Sequence, residues 1–261
     1  MNTIIENSKG EHLSVQVEGL ENKEAKHLVF IEHGLASCKE YYVIRRIAEA
    51  FLANNYIVVT FDTRHSFGKS SGNVELSSLT TAYEDLQTII LWAQTQEFYK
   101  EPFALSGHSL GGGCVLKYAE DYPQKVNRLI PVSPMVGGKY YLRSYAMYNY
   151  DLLEKWFITG FRHCRKFDDR NIDGYVSYNF VKDLQNYDFV ASATNISSPT
   201  LLITGSWDKS STVYNNERLF ENINAPKKME IINNCTHVFE SKNNQKELYA
   251  AIDIWLKDLS D

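Results

Sequence analysis

The chain has 261 residues, of which 44% are hydrophobic, and a formal net charge of −5. That length supports an ample core, in one large domain or two small ones. Without a block of Lys or Arg, the charge balance argues against nucleic acid or an anionic membrane surface as the main partner. No apolar run approaches the ~20 residues of a membrane span. The stretch from Met1 to Glu6 lacks a basic segment followed by an apolar one, so no signal peptide is expected and the expected location is cytoplasmic. Cys38, Cys114, Cys164 and Cys235 have no close spacing and read as reduced thiols. No zinc, Walker A or dinucleotide motif occurs, so neither a metal nor a cofactor is expected.

Taken in order, Thr3 to Val17 reads as a hairpin around the turn Asn7-Ser8-Lys9-Gly10. Leu28 to Glu32 is apolar on both faces, as a covered central strand requires, and ends at His33-Gly34. Ile44, Ile47, Ala48, Phe51 and Leu52 fall on one face of a helix. Tyr56 to Phe61 is a second buried strand, followed by a Gly- and Ser-rich loop from Asp62 to Gly72. Ala82, Leu86, Ile89, Ile90 and Ala93 mark the next helix. Pro102 to Leu105 leads into Gly107-His108-Ser109-Leu110-Gly111, and helix-compatible sequence follows. Val126 to Val132 is another apolar run. Alternation resumes with a strand at Pro199 to Thr204, a helix at Ser211 to Phe220 and a strand at Lys228 to Ile232. The last helix carries Leu248, Ala251, Ile252, Trp255, Leu256 and Leu259 on one face. Alternating strands and amphipathic helices predict an α/β fold with a mostly parallel sheet covered on both faces.

Between Val132 and Thr200 lie 67 residues, far more than a crossover needs. The excess is rich in Tyr, Phe and Trp. It predicts a small, mainly helical insertion at residues 135–195, between the sixth and seventh strands, over a core of residues 1–134 and 196–261. Two or three of its tyrosines are expected to line a pocket. Arg162, Arg165, Lys166, Asp168, Asp169 and Arg170 read as a solvated surface.

The pentapeptide around Ser109 has the G-x-S-x-G form of a nucleophile elbow, in which a strand turns sharply into a helix and leaves the Ser hydroxyl clear of the sheet. Gly107 and Gly111 supply space that side chains would take from neighbouring elements. A nucleophilic Ser needs a base, an acid that orients it and donors for the oxyanion. His237 follows the last strand, and Asp208 follows the strand Leu201 to Thr204. Both sit where catalytic groups gather in parallel sheets. The other reading of Asp208 is a cap on the helix near Ser211. His12, His27 and His163 lie in the wrong segments, His108 is turned away by the elbow, and His65 is a weaker alternative. His33 reads as a hydrogen-bonded structural group.

Four pieces in this order carry a family resemblance: His33-Gly34-Leu35; Phe61-Asp62 through Gly68-Lys69-Ser70-Ser71-Gly72; Gly107-His108-Ser109-Leu110-Gly111; and Gly205-Ser206-Trp207-Asp208 followed by His237. The sequence resembles an α/β-hydrolase of the esterase, monoacylglycerol-lipase and serine-aminopeptidase type, including cinnamoyl and feruloyl esterases. The resemblance runs from Leu28 to Leu259. It implies a catalytic Ser109, Asp208 and His237, with the backbone N–H groups of Leu35 and Leu110 as the oxyanion hole. Two departures stand out: the loop after Asp62 lacks the family's first Gly and carries His65-Ser66, and Thr236 precedes His237 where Gly is usual. That loop reads as support for the oxyanion side.

The implied activity is a carboxylesterase acting on small to medium acyl or aryl esters. Since the base must be neutral, activity is expected to fall as pH drops below roughly 6 to 7. A serine aminopeptidase or a thioesterase on the same residues are the alternatives, and a non-catalytic ligand-binding protein on this scaffold is a third. Dehalogenases and epoxide hydrolases of this scaffold carry Asp where this chain has Ser109. The partner expected is a small-molecule acyl ester, with a homodimer left open.

Overall fold

The computed structural model describes residues 1–165 and 173–258. β1 (Asn2–Glu6) and β2 (His12–Glu18) form the N-terminal hairpin. Its turn is fixed by Asn7 Oδ1, which accepts from the N–H groups of Lys9 and Glu11. β3 (His27–Glu32), α1 (Tyr42–Ala53), β4 (Tyr56–Phe61), α2 (Leu79–Ala93), β5 (Phe103–His108), α3 (Leu110–Asp121) and β6 (Val126–Val132) then alternate as the hydrophobic pattern dictates. Next come α4 (Gly138–Tyr148), α5 (Tyr150–Thr159), β7 (Phe161–Arg165), β8 (Asp173–Ser177), α6 (Asn179–Leu184) and α7 (Phe189–Ser192). β9 (Thr200–Gly205), α8 (Val213–Asn222), β10 (Lys227–Ile232) and α9 (Lys242–Asp258) complete the chain.

One eight-stranded sheet runs β1-β2-β4-β3-β5-β6-β9-β10. β2 pairs antiparallel with both β1 and β4, and every pairing from β4 across to β10 is parallel. All the parallel strands therefore end on the same edge, and the loops that follow them share it.

The double-sided apolar character of the strands has a direct structural cause. Val29, Ile31, Val58, Ile130 and Ile203 face α1 and α9 on one side of the sheet. Leu28, Phe30, Val59, Leu105 and Leu202 face α2 and α3 on the other. β3, β4, β5 and β9 bury both faces, so alternation with polar residues is lost there.

The segment between β6 and β9 departs from the mainly helical expectation in one respect. β7 and β8 pair antiparallel, Arg162 opposite Val176, as a hairpin separate from the main sheet. Trp156 of α5 is fully buried and donates from Nε1 to the Val176 carbonyl at 2.9 Å, which pins the hairpin to the helix. Phe167, Asp168, Asp169, Lys166, Arg170 and Leu259, which figured in the expectations above, lie outside the described residues. Among those described, no helix is long and apolar enough to cross a membrane.

Candidate active site

Ser109 lies between β5 and α3 with φ 57° and ψ −110°, outside both regular regions. Such a conformation persists only where surrounding bonds impose it. Here the Ser109 N–H donates to Val132 O at 3.0 Å, and Ser109 O accepts from Gly113 N at 3.1 Å and Met135 N at 2.9 Å. The helix begins at the next residue, so the Leu110 N–H is one of the first-turn donors that a helix leaves unpaired, at its positive end.

Asp208 and His237 converge on this hydroxyl from the ends of β9 and β10. His237 Nδ1 lies 2.7 Å from Asp208 Oδ2, and His237 Nε2 lies 2.9 Å from Ser109 Oγ. Asp208 is buried, and its other oxygen accepts from the N–H groups of Ser210 and Ser211 at 2.8 Å each. One oxygen thus holds the turn before α8 and the other meets the imidazole, while the cap of α8 itself is Thr212, whose side chain accepts from the Asn215 N–H. The two loops are laced together, with Trp207 N–H donating to Cys235 O and Asn234 N–H to Ser206 Oγ, each at 2.9 Å. Tyr42 Oη donates to Val238 O at 2.6 Å from the β3 side.

The turn after β3 closes on Ser109 from the opposite flank. A Cβ placed on Gly34 would sit 3.2 Å from the Ser109 Cβ, so main chain there abuts Ser109. His33 is buried, and burial holds its pKa below the ordinary imidazole value. The neutral ring lies with Nδ1 2.8 Å from Gly34 O and accepts from Thr63 N–H at Nε2, 3.1 Å away. One tautomer, protonated on Nδ1, satisfies both contacts and fixes the Gly34 peptide ahead of Leu35.

The loop after β4 acts as a brace. Asp62 accepts from the Lys39 backbone N–H at 2.8 Å, from Lys39 Nζ at 2.6 Å and from Lys69 N–H at 2.9 Å. Arg64 meets Asp85 at 2.6 Å and Glu84 at 3.0 Å, and also bonds Glu11. His65 Nδ1 accepts from Asn73 N–H within its own loop.

His108 has a role that the sequence does not disclose. Its Nε2 lies 2.8 Å from the His237 carbonyl, and the two rings lie 5.0 Å apart. Burial pushes its pKa down to about 3. The folded protein therefore binds no proton at His108 between pH 3 and 6.5, whereas the unfolded chain does. Stability from this group falls as pH drops through that window, by about 1.4 kcal/mol per unit. Between pH 7 and pH 5, the stability advantage of wild type over His108→Gln is expected to shrink by about 2 kcal/mol in urea unfolding. A constant difference would show that His108 is not held neutral.

A cavity of about 730 Å³ opens over Ser109 and His237. Leu35, Tyr41 and Tyr42 contribute from the strand-end loops, and Met135, Tyr141, Tyr145, Arg162, His163 and Cys164 from the segment after β6. Two of that segment's tyrosines thus reach the cavity. Arg162 is a correction: it lines the cavity and bonds Tyr145 Oη at 2.6 Å instead of lying on a solvated surface. The expectation failed because it treated the local charge run as one face, and the strand sends alternate residues inward. Burial raises the thiol pKa of Cys114, Cys164 and Cys235, the last to about 12, so none is a ready thiolate.

This sheet, with its loops gathered at one edge, has the α/β-hydrolase fold. The chain belongs to the family described as "Serine aminopeptidase, S33", which matches residues 23–241. A monoacylglycerol lipase of Mycolicibacterium smegmatis is 27% identical over 144 residues, 52% of this chain and 50% of that protein. The chain's match thus spans about half the length of that relative. Est1E of Butyrivibrio proteoclasticus, solved with ferulic acid bound, superposes with a TM-score of 0.78 at 20% identity over 98% of both chains. Mouse alpha/beta hydrolase domain-containing protein 10 superposes at 0.77 and 18% identity over 100% of both.

Proposed function

We infer that the protein is a serine carboxylesterase for small to medium acyl or aryl esters. The observation that carries this reading is the unbroken contact chain from Asp208 through His237 to Ser109 Oγ on the cavity floor. Ser109 Oγ attacks the ester carbonyl carbon while His237 Nε2 takes its proton. Asp208 holds the imidazole tautomer and stabilises the imidazolium that forms. The carbonyl oxygen becomes an oxyanion, received by the N–H groups of Leu35 and Leu110. His237 then protonates the leaving alkoxide, and the acyl-enzyme remains. Water, deprotonated by His237, attacks that acyl carbon and releases the acid and Ser109.

Residues 135–195 serve as the cap in this reading. Met135, Tyr141 and Tyr145 give the cavity an apolar wall suited to an acyl chain or an aromatic ring, and its volume is in the usual range for small-molecule sites. The monoacylglycerol lipase and the ferulic acid complex support ester chemistry by similarity.

The family description points to aminopeptidases as the second reading. Holding a substrate ammonium calls for a free carboxylate at the cavity. Among the described residues, Glu40 is the carboxylate lining it, and Glu40 lies 3.4 Å from Lys39 and 3.7 Å from Lys69. Asp151, Glu154 and Asp173 are exposed. The site therefore favours an ester. Turnover of p-nitrophenyl esters from acetate to laurate, beside an aminoacyl-arylamide panel, tests this. Esters are expected to exceed arylamides by at least about 100-fold in kcat/KM, with the chain-length optimum sizing the cavity. Arylamides cleaved faster than every ester would reverse the assignment.

A further inference from the structure

We propose that Arg162 forms an anion subsite in the cavity and that the substrate is an ester bearing a carboxylate. The inference rests on the esterase reading and adds the substrate's charge to it.

The guanidinium is built in, not trailing from the surface. Its Cζ lies 4.6 Å from the centre of the Trp156 ring and 5.9 Å from that of Tyr145, and Nη1 donates to Tyr145 Oη at 2.6 Å. Trp156 is itself fully buried and tied to the backbone of β8. Two aromatic rings thus flank a guanidinium that also lines the cavity.

Among the described residues, no carboxylate bonds this guanidinium. The Arg162 Nε is buried and has no hydrogen-bond partner among the described residues. Besides its burial, the largest influences on this guanidinium among the described residues are Tyr141, Tyr145 and Cys164, and burial favours the neutral forms of Tyr141 and Cys164. Arg45 and Arg64 are held differently: Arg45 grips both oxygens of Glu18, and Arg64 meets Glu11, Glu84 and Asp85. A partly buried cation without a carboxylate carries a desolvation cost, and binding an anion relieves it. A planar carboxylate matches the two-donor edge of guanidinium. A single fixed positive charge suits its single negative charge better than a phosphate's two. Arg162 and Ser109 line the same cavity of about 730 Å³, which gives one molecule of suitable length access to both.

The test compares p-nitrophenyl hydrogen adipate and suberate with their neutral methyl esters, for wild type, Arg162→Gln and Arg162→Lys. Wild type is expected to favour the anionic ester by about 10- to 100-fold in kcat/KM, the range for a hydrogen bond to a charged group. That ratio should fall to near unity in Arg162→Gln and be partly kept in Arg162→Lys. Stacking alone as Arg162's role would lower both substrates together and leave the ratio unchanged, which overturns the proposal while the esterase reading stands. If wild type hydrolysed no ester, the esterase reading would fail by itself. The subsite is then decided by calorimetry with monomethyl adipate on Ser109→Ala. Binding weakened at least 10-fold by adding Arg162→Gln supports it, and unchanged binding overturns it.

Discussion

Ser109→Ala is expected to lower kcat for any accepted ester by about 10⁴- to 10⁶-fold, the scale on which serine hydrolases lose turnover without their nucleophile. The remaining rate comes from the oxyanion donors and from binding, which the substitution leaves in place. Ser106, three residues earlier, is not placed to substitute: it is buried in β5 and donates to Ile130 O at 2.8 Å. The fold should survive, because the backbone bonds of residue 109 to Val132, Gly113 and Met135 do not involve the side chain. Circular dichroism and melting temperature are therefore expected to match wild type while p-nitrophenyl release collapses. A variant that keeps more than about a tenth of wild-type turnover would remove Ser109 from the mechanism.

Gly111→Ala is expected to cost at least about 3 kcal/mol of stability, at the upper end of overpacking effects. A methyl group there would lie 2.4 Å from the Glu32 carbonyl oxygen and 2.7 Å from that of His33. Both are main-chain atoms of the central strand and its turn, so no side chain can swing away. Relief requires α3 to lift from β3, which also shifts the Leu110 N–H and Ser109. For a chain of this size, that is a fall in melting temperature of roughly 6 to 12 °C, together with lost activity. Gly107 meets the same obstacle from the other side, with a Cβ there only 2.4 Å from Gly111 O. Gly160→Ala is the control: nothing lies within 4 Å of its Cβ position, and only the strain of φ 78° is added. A Gly111→Ala protein with wild-type melting and turnover would show that the elbow is not packed this tightly.

Most of the scaffold is legible because its signals are local. Tyr56 to Phe61 and Val126 to Val132 are strands with the bounds that their apolar runs mark. Gly107 and Gly111 announce a crowded turn, and Asp208 and His237 announce themselves by position after strands. Some features were not legible because they depend on contacts distant in sequence. His108 reaches the His237 carbonyl across 129 residues, and nothing beside His108 hints at that. Tyr42 reaches Val238 O across 196. Arg162 is the instructive miss. Composition groups it with the basic residues that follow, but Phe161, Arg162, His163 and Cys164 alternate exposed and half-buried, the period of a strand. The aromatic density of the segment favoured a helical reading and hid that period.

The strands that bracket this segment are themselves hydrogen-bonded neighbours, with Leu129 beside Thr200 and Val132 beside Ile203. The chain leaves the sheet at β6 and rejoins it one strand away, about 5 Å across. Everything between is an excursion whose two ends nearly touch. Lengthening, trimming or exchanging it leaves the strand order intact and keeps Ser109, Asp208 and His237 on elements outside it. On the proposed reading, the lineage could thus revise which molecules are admitted by rewriting one detour, while Ser109, Asp208 and His237 stayed under separate selection.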